Sequence, residues 1–598
     1  MNPSDLLVAA ALGAVPVASI TGLVRNHLDR GAAGQVPRDG SAGRSRGGRP
    51  APGPSRGRGR APGVGPALRA STRAETGARW ARRADLRPLA RGADGTTGRL
   101  VLGTAAPEGL WRPGGRVLAV ERAQSVAVVG PTQSGKTTAL AVPAILGWDG
   151  PVLAASVKTD LVRDTLAWRR RCGTVWCFDP AGTTGLPRSR WSPLDTAGTW
   201  PGARRLAADL TDVTRADSTT ADGEFWYATA AKLLAPLLFA AAVSRRSMHD
   251  VVRWVDEQET EEVLDVLHAA GVHEAIQAAR ATWLRDERQR SAIYTTAETV
   301  LEPFADMEAA DVSEVAPGPL PGPAPGALPA SYAPASPLFP EQSDTPPYGT
   351  PALRAGPVWG GPMPADPPGD DVPRGGPIDC ARLISGSHTL YVCAPAHDQR
   401  RLRGLFVALV QQSLHAAFAH SARTGRPLDP PLLVVLDEAA NIAPLRDLDG
   451  LAATCAGHGV QLVTVWQDLA QVRARYGERG ATVVNNHRAK VFLPGIADPA
   501  TLELASQLAG TEERPTPSVT YGARGERTVT TAPAVRRLLP PDALRRMSRG
   551  TAVLLYGSLP PARIRLRPWF EDRVMRERAG APAPAPRRPR WRPLQSRA

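Results

Sequence analysis

The chain has 598 residues, 42% of them hydrophobic, which excludes a protein that is disordered throughout, while 59 prolines and 57 glycines exclude one that is compact throughout. Five cysteines (Cys172, Cys177, Cys380, Cys393, Cys455) with no CxxC pair and no histidine at zinc-finger spacing exclude a disulfide framework and a structural zinc site. The net charge of +15 sits at the two ends: residues 25–93 carry 16 Arg against 4 acids and residues 573–598 carry 8 Arg against 1, so the remainder is slightly acidic.

Residues 1–24 contain LLVAAALGAVPVASITGLV, Leu6 to Val24, a charge-free stretch about long enough to cross a bilayer as a helix. Asp5 stands where a signal peptide carries a basic residue, and positive charge begins only at Arg25. An uncleaved single-pass anchor with the rest of the chain in the cytoplasm is therefore favoured over a buried helix or a cleaved signal. Residues 25–93 follow as a basic tether, Gly, Pro, Arg and Ser from Gly31 to Pro66, with nothing to bury. Such a segment gathers lipid headgroups or nucleic-acid phosphates, or only solubilises, and charge alone does not choose.

From residue 94 short apolar runs alternate with helical patterns: SVAVVG, PVLAASV and TVWCF in residues 94–246, then TLYVCAP, LLVVLDE, VQLVTVW, AKVFLPG and TAVLLYG in residues 378–572. Continuous apolar strands separated by helices predict an α/β domain with a mainly parallel sheet covered on both faces. Residues 247–311 are helix-patterned throughout, opening on a capping box at Ser247 and Asp250, and read as an inserted all-α domain closed by Pro303. Residues 312–377 are a Pro/Gly-rich insertion without periodicity, and residues 573–598 a basic disordered tail.

GPTQSGKTT, Gly130 to Thr138, matches the phosphate-binding loop GxxxxGK[ST]. Gly130, Pro131, Thr132, Gln133, Ser134 and Gly135 form the turn whose amides wrap a phosphate, and the helix that follows points its positive end at the anion. Lys136 is placed to reach the β- and γ-phosphates of ATP, Thr137 offers a hydroxyl to Mg²⁺, and Thr138 completes the loop. LLVVLDEAA supplies Asp437 as the second Mg²⁺ ligand and Glu438 to polarise the attacking water. Gln467, leaving VQLVTVW, reads either as a γ-phosphate sensor or as a strand-terminal Gln bonded to a loop.

These blocks, with SVKTDL, CFDPAGTTG, FWYATAAKLLAPLL and the run from VWQDLAQVRARYG to NNHRAKVFLPG, resemble the type IV secretion coupling proteins, the conjugative DNA transfer ATPases related to TraG and TraD. The likeness spans roughly residues 100–570 apart from the proline-rich insertion. It implies a RecA-like P-loop NTPase with an all-α domain, a membrane anchor and a homo-oligomeric ring, typically hexameric. It also implies cargo: DNA or a relaxase–DNA complex, driven by ATP hydrolysis into the type IV secretion channel. The resemblance supports Asp437, Glu438 and Gln467 in their stated roles. One departure stands out, since Ala456 occupies the place where many relatives carry an arginine thought to act across the subunit interface. Arg446, Arg475 and Arg488 are the candidate substitutes. An FtsK-like duplex translocase and a nucleotide-regulated docking scaffold are the alternatives.

Overall fold

The computed structural model describes residues 77–90, 98–106, 116–215, 221–305, 376–394, 397–521, 525 and 527–580. Its centre is an 11-stranded sheet in the order β2-β1-β13-β12-β9-β3-β8-β7-β4-β6-β5. Seven neighbouring strands are parallel: β9 (Ala489–Phe492), β3 (Val126–Val129), β8 (Val460–Trp466), β7 (Leu432–Asp437), β4 (Val152–Ser156), β6 (Thr389–Cys393) and β5 (Val175–Phe178). Four antiparallel strands extend one side: β12 (Thr551–Tyr556), β13 (Ala562–Arg565), β1 (Val101–Ala105) and β2 (Val117–Ala119). TAVLLYG is thus a strand as its apolar run requires, but an antiparallel one.

The two faces of the sheet nucleate two cores. Leu432, Val434 and Leu436 pack into one, and the intervening Leu433 and Val435 into the other. This follows from the two-residue period of a strand and explains why these segments are apolar without alternation.

On the first face lies an all-helical body: α3 (Trp200–Arg215), α4 (Ala221–Val243), α5 (Met248–Asp256), α6 (Glu261–Ala270), α7 (His273–Trp283) and α8 (Glu287–Ala305). It begins at residue 200, well before the expected boundary at 247, because α3 and α4 pack on α8 and α7 rather than on strands. The capping box forms as the sequence predicts, with Asp250 N donating to Ser247 Oγ and Ser247 N to Asp250 Oδ2, and α6 ends on Gly271 in the left-handed conformation. Pro303 sits inside α8 instead of closing it. Over Glu224–Val243 α4 is long and apolar enough to cross a membrane; 61% of that window is buried among its neighbours, the pattern of a core helix. The anchor expected at Leu6–Val24 lies outside the described residues.

Folded chain also reaches past two expected boundaries. Within the stretch read as tether, Leu86, Leu89 and Ala90 are buried against the β1–β2 edge, Arg79 pairs with Asp85 at 2.6 Å, and Arg563 lies over the Trp80 ring. Within the basic tail, Arg573–Ala579 forms a helix that buries Met575. In both places a few apolar residues among many arginines carry the packing, and composition hides them.

A second sheet, β10 (Thr511–Tyr521) paired with β11 (Arg527–Arg537), runs in unbroken antiparallel register from Thr511↔Arg537 to Tyr521↔Arg527, with nearly all its described residues exposed.

Candidate nucleotide-binding site

β3 buries four aliphatic or small residues between β8 and β9 and delivers the chain at Gly130 to the carboxyl edge of the parallel strands, where crevices in such sheets hold ligands. Gly130 N donates to Trp466 O at 3.1 Å, which fixes the loop against β8. A side chain at Gly130 has no room, since a Cβ there would lie 2.8 Å from Leu493 Cβ and 2.9 Å from Ser134 Oγ. Gly135, at φ +95°, and Gln133, at φ +60°, supply the reversals that turn the loop back on itself. Ser134 Oγ tightens the turn by donating to Pro131 O at 2.7 Å. The helix after the loop starts as a π-turn over Thr137–Ala141 and continues as α1 (Val142–Gly147).

Lys136 is buried, and its ammonium donates to Gly130 O at 2.5 Å and Pro131 O at 2.8 Å. Burial lowers its pKa, against the pull of Asp437 and then Glu438, which raise it. Both acids therefore lie within electrostatic reach of the loop lysine. Asp437 ends β7 two strands from β3, and it accepts from Thr137 Oγ1 at 3.2 Å and from Ser156 Oγ, at the end of β4, at 3.3 Å. Its own pKa is raised, mainly by burial; the two hydroxyls and Lys136 work the other way, and the Glu438 charge adds to the rise.

Glu438 occupies a left-handed conformation at φ +66°, rare for a non-glycine residue and found where structure over-determines it. Its carbonyl accepts from Asn441 N and Ile442 N, and Asn441 Nδ2 donates to Glu438 Oε2 at 3.3 Å. The carboxylate is thereby turned off the end of β7. Gln467 leaves β8, the strand between β3 and β7, is half-buried, and donates its backbone N–H to Gln471 Oε1 at 3.1 Å. Pro131, Thr132, Gln133, Ser134 and Thr138 form the half-buried to exposed outer wall of the loop.

The oxygen donors fit a magnesium–nucleotide complex. Thr137 and Asp437 already converge, and a hard cation takes hydroxyl, carboxylate, water and phosphate oxygens. Lys136 spends its donors on loop carbonyls that phosphate oxygens can replace. Among the described residues no group of three or more His, Cys, Asp or Glu gathers elsewhere as a metal site.

Ser156 was not singled out by sequence reasoning; its signal was SVKTDL, whose first residue it is. Asp179, in CFDPAGTTG, is fully buried outside the site, where it closes a turn by accepting from Thr183 Oγ1, Thr184 N and Thr184 Oγ1. Of the arginines considered in place of Ala456, Arg446 pairs within the same chain with Asp212. Arg488 precedes β9, at the amino ends of the parallel strands and so away from the phosphate loop, 3.6 Å from Glu121 and over the Tyr556 ring. Arg475 lies on the helix Leu469–Tyr476 that follows Gln467.

The model of the family "Type IV secretory system Conjugative DNA transfer" matches residues 79–313 and 379–589, so the match steps over the proline-rich insertion. A conjugal transfer protein TraG of Escherichia coli is 24% identical over 506 residues, covering 77% of this chain and 69% of its own. Among solved structures, the plasmid coupling protein TrwB in complex with a non-hydrolysable ATP analogue superposes with a TM-score of 0.54 at 16% identity, covering 82% of this chain and 94% of that one. TrwB with ADP and Mg²⁺ gives 0.51, also at 16% identity, over 80% and 96%. These likenesses show that the fold is shared.

Proposed function

We infer, from the premise that this chain belongs to the type IV secretory system conjugative DNA transfer family, that it is an ATP-driven coupling protein. Its task is to receive DNA or a relaxase–DNA complex and drive it into a type IV secretion channel. The observation that carries the ATPase reading is the Thr137–Asp437 contact, because it joins the phosphate loop to the distant acidic strand through two oxygens that would both serve Mg²⁺. The TrwB complexes with an ATP analogue and with ADP and Mg²⁺ supply the ligand by analogy.

In this reading Lys136 leaves its loop carbonyls for the β- and γ-phosphates. Thr137 and Asp437 hold Mg²⁺, which supplies charge neutralisation for the developing phosphate oxygens. Glu438, held off the strand end by its left-handed backbone, takes the proton of the attacking water. Gln467, between the two halves of the site, senses the γ-phosphate. Assembly as a ring, anchoring in the membrane through residues 6–24 and capture of acidic partners by the basic ends complete the proposal.

The test is steady-state ATP hydrolysis by the purified protein alone, with single-stranded and with duplex DNA, while oligomer mass is recorded. Stimulation by single strands is expected, and Lys136→Ala or Glu438→Gln should abolish turnover. Persistent hydrolysis in rigorously purified variants would sink the site assignment, and a strong duplex preference would favour the FtsK-like translocase. A second reading, a docking scaffold with a regulatory nucleotide, is favoured by Ala456 and by the engagement of Arg446 and Arg488 within their own chain. Tight ATP binding with no turnover under any DNA condition is its signature.

A further inference from the structure

Between Glu438 and α3 runs a short, packed segment that the ATPase reading leaves unused. Ala439, Ile442, Ala443, Leu445 and Leu448 are all buried, and Ala439 N donates to Val465 O at 3.1 Å, so the segment is fixed to β8 as well as to the core. At its far end Arg446 projects out of the nucleotide domain. Its Nη1 donates to Asp212 Oδ1 on α3, and its Nη2 lies 4.0 Å from Glu224 Oε1 on α4. One guanidinium thus faces a carboxylate on each of two consecutive helices of the all-α body. Asp212 is half-buried and burial raises its pKa, while the hydrogen bond from Arg446 is the largest influence lowering it.

We propose that Arg446 is a positioning residue that couples the all-α body to Glu438: the guanidinium holds α3 and α4 on one side and, eight positions back along a buried segment, fixes the strained backbone of the carboxylate on the other. The proposal rests on the ATPase reading for its catalytic consequence and on geometry alone for its mechanical one. A left-handed glutamate is strained and persists only while its surroundings over-determine it. Loosening the segment at Arg446 releases that constraint. Conversely, a partner that shifts α3 and α4 changes the aim of Glu438. Substrate engaged by the helical body and hydrolysis at the sheet edge are thereby linked through the Arg446 guanidinium, beside the packing of α3 on the helix Gln399–Thr424. Arg446 acts within its own subunit here, the opposite of a cation supplied across an interface.

The experiment uses the full chain with R446A, R446D, D212R and the double swap R446D/D212R, each checked by thermal melting for intact fold. R446A is expected to lower kcat for ATP about fivefold or more with KM held within about twofold, since it disturbs the aim of Glu438 and not nucleotide binding. The swap should recover most of what R446D loses. Unchanged kcat in R446A, or a swap as inactive as R446D, overturns the proposal. So does recovery of R446A when mixed with K136A subunits, because that places Arg446 at a neighbour's site. If the unaltered protein binds ATP without hydrolysing it, the ATPase reading fails and amide hydrogen exchange decides the coupling. ATP should then change exchange across 200–215 and 224–230 in the unaltered chain and not in R446A; equal changes in both overturn it.

Discussion

Ser156 and Asp437 are direct neighbours across the parallel β4–β7 pair, and the serine hydroxyl donates to Asp437 Oδ2 at 3.3 Å, on the same oxygen that accepts from Thr137. The carboxylate is oriented from two sides before any ligand arrives. Ser156→Ala removes one of them, and on the proposed reading of Asp437 as a Mg²⁺ ligand the loss of such an outer partner costs about tenfold or more in metal affinity. Titrating nucleotide binding with and without Mg²⁺ should show the loss only in the Mg²⁺-dependent part; an equal loss without Mg²⁺ would mean Ser156 shapes the loop instead.

Two loop glycines should respond differently to alanine. At Gly130 the new methyl meets Leu493 Cβ and Ser134 Oγ inside 3 Å, an overpacking cost of about 1–3 kcal/mol that also displaces the turn. At Gly135 the nearest atom, Thr138 Oγ1, is 3.9 Å away, so the penalty is only the left-handed backbone, about 1–2 kcal/mol. Melting temperature should fall in both, further in Gly130→Ala, and nucleotide affinity should fall in both because each glycine shapes the turn whose amides face the phosphate.

His487 is wholly buried, bonded through Nδ1 to Val483 O at 2.7 Å and through Nε2 to the Thr464 hydroxyl at 3.0 Å, which also accepts from Trp466 Nε1. Burial brings its pKa down to about 4. The unfolded chain takes up a proton near pH 6.5 that the folded chain refuses until about pH 4, so stability falls as pH drops through that window, by about 3 kcal/mol in all. Asp209 works with the opposite sign. Its pKa is raised to about 7, mainly by burial, so its contribution is full in acid and lost as pH rises towards 7. Urea midpoints from pH 4 to 8 should show the gap between the unaltered chain and His487→Gln narrowing towards acid, and Asp209→Asn gaining relative stability towards pH 8.

Arg169 is fully buried, and its hydrogen-bond acceptors are all neutral: Thr389 Oγ1 and the carbonyls of Trp148, Gly150, Ser387 and His388. It ties α2 (Asp160–Cys172) to the amino ends of β4 and β6. Arg169→Met withdraws a donor from each of these acceptors, of which His388 O keeps the bond from Val152 N, and each buried group left unsatisfied costs about 1–3 kcal/mol. Chemical denaturation should show a loss of at least about 3 kcal/mol, with nucleotide affinity of the folded fraction unchanged.

The β10–β11 ribbon should be prone to edge pairing, yet three prolines oppose it. Pro515 faces Pro533, and since neither has an N–H, that pair must be of the non-hydrogen-bonded kind. Alternate positions share its geometry, so Pro515, Pro517 and Pro533 each remove a donor that would point outward along an edge. The same parity places Val519, Tyr521, Val529 and Val535 on one exposed face. Replacing the three prolines with valine should raise self-association, seen as a concentration-dependent mass increase in light scattering; an unchanged mass would show that the edges are guarded by something else.

By itself the sequence determined the parallel sheet, the phosphate loop and the acidic strand end, because each rests on a local rule: apolar runs of strand length, glycines where a turn needs them, a carboxylate where an apolar strand stops. It also carried the capping box at Ser247 and the glycine stop at Gly271, both contained within a few residues. Only the tertiary structure decided where the all-α body begins and that residues 77–90 and 573–579 are folded. There a few apolar side chains find partners far along the chain, and arginine-rich composition conceals them. It alone brought Ser156 onto Asp437 and set Arg446 against Asp212, since strand order and helix docking depend on long-range burial that no short window of sequence encodes.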